Sequence, residues 1–129
     1  MEATYTWTEP FNIKRMKTYT LALDLRDDPR LIAEYEAWHR EVWPEVLRSI
    51  HESGILSMTI YRTGNRLCMI MQVEDDFSFE KKGHIDAANA KVQEWEALMW
   101  QYQQALPGSK PGEKWVLMEP IFSWDHDEG

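Results

Sequence analysis

The chain has 129 residues, 43% of them hydrophobic, and a net charge of −8; that length suits one domain, and that apolar content excludes a disordered chain. The negative charge, with no Lys/Arg-rich run, argues against nucleic acid, whose binding rests on neutralising phosphates, and against an anionic membrane surface. Cys68 is the only cysteine, so no intrachain disulfide is possible; with no apolar leader and no run of about 18 apolar residues, the sequence reads as a soluble cytoplasmic protein.

Residues 1–14 are mixed in character, contain Pro10, and read as an N-terminal extension. A single domain is expected over 15–124, followed by an acidic tail over 125–129. "MKTYTLALDL" (16–25) alternates with a period of two, which predicts a strand. "RDDPR" (26–30) supplies a turn, with Asp28 placed to cap the next helix and Pro29 at its first position. Leu31, Tyr35, Trp38, Val42, Val46 and Ile50 then recur at helical spacing, interrupted near Pro44 and closed by Gly54.

"LSMTIY" (56–61), "RTGNR" (62–66) and "LCMIMQV" (67–73) predict a hairpin around Gly-Asn turn chemistry, its second strand central to a sheet. A second helical region carries Val92, Trp95, Leu98, Met99 and Tyr102 on one stripe. "PGSKPGEK" (107–114) is a loop, and "WVLMEPIFSW" (115–124) a last strand whose Pro120 confines it to an edge or bulge. The order β-α-β-β-α-β predicts an α+β, ferredoxin-like fold. Its strands carry apolar residues on both faces (Leu67, Met69 and Met71 against Cys68 and Ile70), and an uncovered apolar face predicts a homodimer.

Chemistry concentrates in "EYEAWHREVWPE" (34–45). Tyr35, His39 and Trp43 fall at i, i+4 and i+8, on one helical face just ahead of Pro44. A proline break frees carbonyls and opens a pocket wall, and histidine, with an unperturbed pKa of about 6.5, exchanges protons near neutrality. On spacing alone a helix-surface histidine beside a kink is the favoured reading. Trp95 belongs by default to the core, although an aromatic next to a carboxylate, here Glu96, is also how sugar sites are furnished. The four histidines show no metal-ligand spacing, and one cysteine builds no structural zinc site. Cys68, mid-strand in an apolar run, reads as an inert thiol. No phosphate- or dinucleotide-binding motif is present.

"AEYEAWHREVWPEV" resembles the Tyr-x-x-x-His-x-x-x-Trp-Pro-Glu signature of the L-rhamnose mutarotase family. "IYRTGNRLCMIMQVE" resembles that family's hairpin and "QEWEALMW" its second-helix segment. "PGEKWVLMEPIF" resembles the closing strand of members assigned as L-fucose mutarotases. The resemblance implies a homodimeric α+β barrel that interconverts the α and β anomers of a 6-deoxy-hexose with no metal or organic cofactor. It implies His39 as proton donor, Tyr35 as a substrate-binding tyrosine, and Trp95 as the first of a Trp-Trp pair that contacts the sugar. Two positions depart from it: Met58 stands where rhamnose enzymes carry a tyrosine, and Glu96 where they carry the second tryptophan. Both fall on substrate contacts and leave the proton donor in place, so the implied substrate shifts toward L-fucose, with L-rhamnose second. The rivals are a monooxygenase or haem-handling protein on the same fold, with His39 as axial ligand, and a non-catalytic sugar-binding module.

Overall fold

The alternating run after the N-terminal segment forms β1 (Met16–Leu25) in the computed structural model, which describes residues 16–126. The predicted extension over 1–14 and the last residues of the acidic tail lie outside the described residues. Asp28 caps α1 (Pro29–Trp38) as the sequence requires: its carboxylate accepts from the backbone N–H groups of Arg30 and Leu31, with Pro29 at the first helical position. A second helix, α2 (Pro44–Glu52), ends at Gly54, whose φ of +89° is the left-handed conformation that stops helices. The hairpin follows as β2 (Ile55–Thr63) and β3 (Arg66–Glu74), turning at Gly64 with φ +58°.

The second helical region is two helices, α3 (Phe79–Ala87) and α4 (Ala90–Trp100). Asn89 separates them, its side chain accepting from the N–H groups of Lys91 and Val92 as an N-cap. Tyr102 lies past the end of α4, off the predicted stripe.

All strand pairings are antiparallel, in the order β2-β3-β1-β4, with β4 (Gln103–Gln104) and β5 (Val116–Met118) in tandem along the second edge of β1. The closing strand is not one run over 115–124 but two short pieces flanking the Pro/Gly loop. β5 stops two residues before Pro120, which has no N–H to give a ladder.

The register places Leu21, Leu23 and Leu25 on the same face as Leu67, Met69 and Met71. The helices cover this face in two apolar clusters. One gathers Leu25, Tyr35, Val46, Leu67, Trp95 and Met99, and the other Leu21, Ile55, Met71, Val73 and Phe77. The opposite face carries Ala22, which is buried, and Cys68, Ile70 and Tyr61, which are not. Cys68 is therefore only half-buried, rather than sealed in a core. Among the described residues no helix is long and apolar enough to cross a membrane. The architecture is the α+β, ferredoxin-like arrangement, with each crossover helix broken into two.

Candidate active site

The break between α1 and α2 positions the histidine. His39 is the C-cap of α1, and Trp43 is the N-cap of α2 with a ψ of 136°. That extended conformation is the one a residue before proline is driven to adopt. Pro44 occupies the first position of α2, where a missing N–H costs nothing. The three aromatic positions therefore do not share one continuous helix face, as their spacing suggested.

Two of them still meet. The Tyr35 and His39 rings lie 4.5 Å apart, and His39 stands edge-on to Trp95 at 5.6 Å. Trp43 instead stands edge-on to Trp95 at 5.2 Å and lines a separate groove on the outer side, so it backs the wall rather than facing the site. Trp38 also meets Trp95 edge-on, and its indole N–H donates to the Tyr102 hydroxyl, which in turn donates to Glu34.

His39 Nδ1 lies 2.9 Å from the backbone oxygen of Tyr35. A carbonyl only accepts, so in the neutral ring Nδ1 carries the hydrogen and Nε2 presents a lone pair. Tyr35 is buried, and its hydroxyl accepts from the Gln103 side chain at 3.2 Å. Burial pushes the Tyr35 phenol above its ordinary pKa, and the Gln103 bond offsets only part of that. Tyr35 therefore keeps its proton across the neutral range and serves as a donor.

His39, Tyr35 and Trp95 all line a cavity of about 880 Å³ between the helices and the covered sheet face. This volume lies within the usual range for a small-molecule site. Met58 and Glu96 line it too. Met58 sits on β2 opposite Met71, and Glu96 is half-buried, accepting from Gln93 at 3.5 Å. Glu94, the neighbouring carboxylate, is exposed and pairs with Lys91 instead. Tyr35, His39, Met58, Trp95 and Glu96 thus converge on one cavity, and Trp43 does not.

Others went unnoticed there. Gln103 holds Tyr35, Trp115 enters from the Pro/Gly loop, and α3 contributes Phe79, Lys82 and Asp86. Lys82 and Asp86 had a faint signal, opposite charges four residues apart, which ordinarily marks a solvated helix face. Among the described residues no three His, Cys, Asp or Glu side chains gather as metal ligands.

A sequence model described as L-rhamnose mutarotase matches residues 18–124. The L-fucose mutarotase of Xanthomonas campestris pv. campestris is 52% identical over 110 residues, covering 84% of this chain and 88% of that protein. The chain belongs to the L-rhamnose mutarotase family. The L-rhamnose mutarotase of Paraburkholderia phymatum, at 26% identity, covers 72% of this chain and 82% of its own length. Among solved structures, that of an L-rhamnose mutarotase from Formosa agariphila superposes with a TM-score of 0.62 at 20% identity, over 84% of this chain and 99% of that one. That last likeness concerns the fold: the family's sheet and helices are present here. Members named as mutarotases are isomerases, and membership weighs against the haem and monooxygenase readings.

Proposed function

We propose that the chain is an L-fucose mutarotase in which His39 exchanges protons with the sugar. The observation that carries this is the His39 ring itself, anchored through Nδ1 and bordering a cavity of sugar-accommodating size between Tyr35 and Trp95. Mutarotation opens the pyranose, turns about C1–C2 and recloses it. Opening takes a proton from the anomeric hydroxyl and gives one to the ring oxygen. His39 Nε2, protonated, delivers the proton to the ring oxygen, while a water accepts the other; the Tyr35 hydroxyl, held by Gln103, orients the sugar by donating to it. Reclosure on either face of the aldehyde reverses both transfers and returns the imidazole to its starting state. Acid-base assistance of this kind contributes roughly 10²–10⁴-fold.

The choice of L-fucose rests on the Xanthomonas relative and on Glu96. A carboxylate accepts several hydrogen bonds where an indole donates one. Saturation-difference NMR of anomer exchange with L-fucose, L-rhamnose and D-galactose tests the reading. Exchange above the spontaneous rate, fastest for L-fucose, is expected, and exchange no faster than in buffer for all three contradicts it. Glu96→Gln should weaken L-fucose exchange roughly ten- to hundred-fold while changing L-rhamnose little, since bonds to charged groups contribute about 1.5–3 kcal/mol. Equal losses for both sugars would make Glu96 structural.

The working unit is a homodimer in the cytoplasm. Ile70, Tyr61 and Met118 are exposed on the uncovered sheet face, and Ile121, Phe122 and Trp124 follow β5 with still more of their surface open. A second copy facing this sheet buries both groups, and the interface should exceed about 1,000 Å² in total. Light scattering is expected to give twice the 15.3 kDa of one chain at micromolar concentration. A mass of one chain would contradict the dimer.

A further inference from the structure

The cavity has a second polar cluster that the proton transfer does not use. Lys82 and Asp86 lie on α3, which places the two side chains one above the other on its inner side. Lys82 Nζ meets Asp86 Oδ2 at 2.5 Å, and the side chains are only 24% and 13% exposed. Ser49, on α2, donates to the other Asp86 oxygen at 3.4 Å. Gln93 donates to the backbone oxygen of Asp86 at 2.9 Å and reaches Glu96, tying the cluster to α4.

An ion pair drawn out of water in this way is a poor source of stability, because desolvation offsets or exceeds the attraction. Its surroundings make the cost plain: Ile50, Met58, Met71, Phe79 and Val92 line the same cavity. Nor is either group saturated. An ammonium offers three donors and a carboxylate about four acceptor sites, and only part of each is used here. The remaining capacity borders the same cavity from α3, whereas α1 and β4 carry His39, Tyr35 and Gln103.

A hexopyranose has a matching polarity. Its C1–O5 edge, where the ring opens, lies opposite its C3–C4 edge, so a sugar presenting O5 to His39 turns its C3 and C4 hydroxyls away. In L-fucose those two hydroxyls are cis, the C4 oxygen axial and standing off the ring plane. Such a diol accepts from an ammonium with one oxygen and donates to a carboxylate with the other. We propose that Lys82 and Asp86 form the specificity end of the site, reading the cis C3–C4 diol of the sugar while His39 works at its anomeric edge. This rests on the mutarotase reading and assigns which hydroxyls that site selects.

The test compares L-fucose with 6-deoxy-L-glucose, its epimer at C4 alone, by saturation-difference NMR of anomer exchange over a range of sugar concentrations. Wild-type protein should favour L-fucose by about tenfold or more in kcat/KM, as one bond to a charged group implies. The double variant Lys82→Met/Asp86→Asn leaves no lone charge in the wall and lets the new amide keep the Ser49 contact. It should bring that preference close to one, with the loss falling mainly in KM for L-fucose. Lys82→Met alone should move it in the same direction. Circular dichroism and melting establish that each variant is folded. Wild-type exchange with an unchanged preference in the folded variants, or equal losses for the two epimers, overturns the proposal alone and makes the pair a structural latch. Wild-type protein that exchanges neither sugar overturns the mutarotase reading, and this one with it.

Discussion

His39→Asn should abolish anomer exchange above the spontaneous rate, a fall of roughly 10²–10⁴-fold, while leaving the fold intact. The asparagine amide reaches about as far as imidazole Nδ1, so it can still donate to the Tyr35 carbonyl that closes α1. What it lacks is Nε2 and any capacity to gain and lose a proton near neutral pH. The variant therefore separates the structural from the chemical part of one side chain. Unchanged melting together with exchange at the buffer rate is the expected outcome. Exchange within a few-fold of wild type would remove His39 from the reaction and move the search to Tyr35 and bound water.

Trp95→Ala should be the most destabilising single change in the cavity wall. Trp95 is 8% exposed, belongs to the larger apolar cluster, and meets Trp38, Trp43 and His39 edge-on. Truncating a buried tryptophan costs about 3–5 kcal/mol, part in lost transfer energy and part in the cavity left behind. Its three ring contacts connect both sides of the helix break, so collapse of neighbouring side chains cannot fill the space without moving His39. Urea unfolding should show a lower midpoint at an unchanged slope. A loss below about 1 kcal/mol would mean that the indole lies against the cavity without supporting it.

The parts of the fold legible in the sequence were those set by local chemistry. Asp28 followed by Pro29 announces a helix start because a side-chain acceptor satisfies the first free N–H groups and a residue without N–H costs nothing there, and both do so here. The alternation read over 16–25 marked β1 as a strand but did not predict its burial, since Leu21 to Leu25 are all buried. It is β3, read as almost continuously apolar, that buries every second residue under the helices. The break at Pro44 was visible, but its form was not. The apolar spacing from Leu31 to Ile50 runs on through it, and spacing does not distinguish a kink from two helices with five residues between them. The closing strand misled for a tertiary reason: β-type residues extend over 115–124, whereas the free edge of β1 takes only Val116–Met118 at that point. Tyr35, His39, Trp95 and Glu96, singled out from the residues and given roles by the family resemblance, and Met58, reached through the resemblance alone, all line the cavity. The Lys82–Asp86 pair was not singled out. Its meaning lies in Ser49 and the cavity beside it, contacts separated by 37 residues of chain.

The packing of Trp38 and Trp43 against Trp95, with centroids 6.5 and 5.2 Å away, has an optical consequence. Indoles held this close at fixed, near-perpendicular angles in a chiral frame couple their electronic transitions. The folded protein should therefore show a strong near-ultraviolet circular dichroism signal that vanishes when the packing loosens, even if the helices remain. Trp95 alone of the three borders the main cavity, so a ligand bound there should change that signal and the emission of the trio. Ligand occupancy should then read out in the near ultraviolet, without a label and without following the reaction.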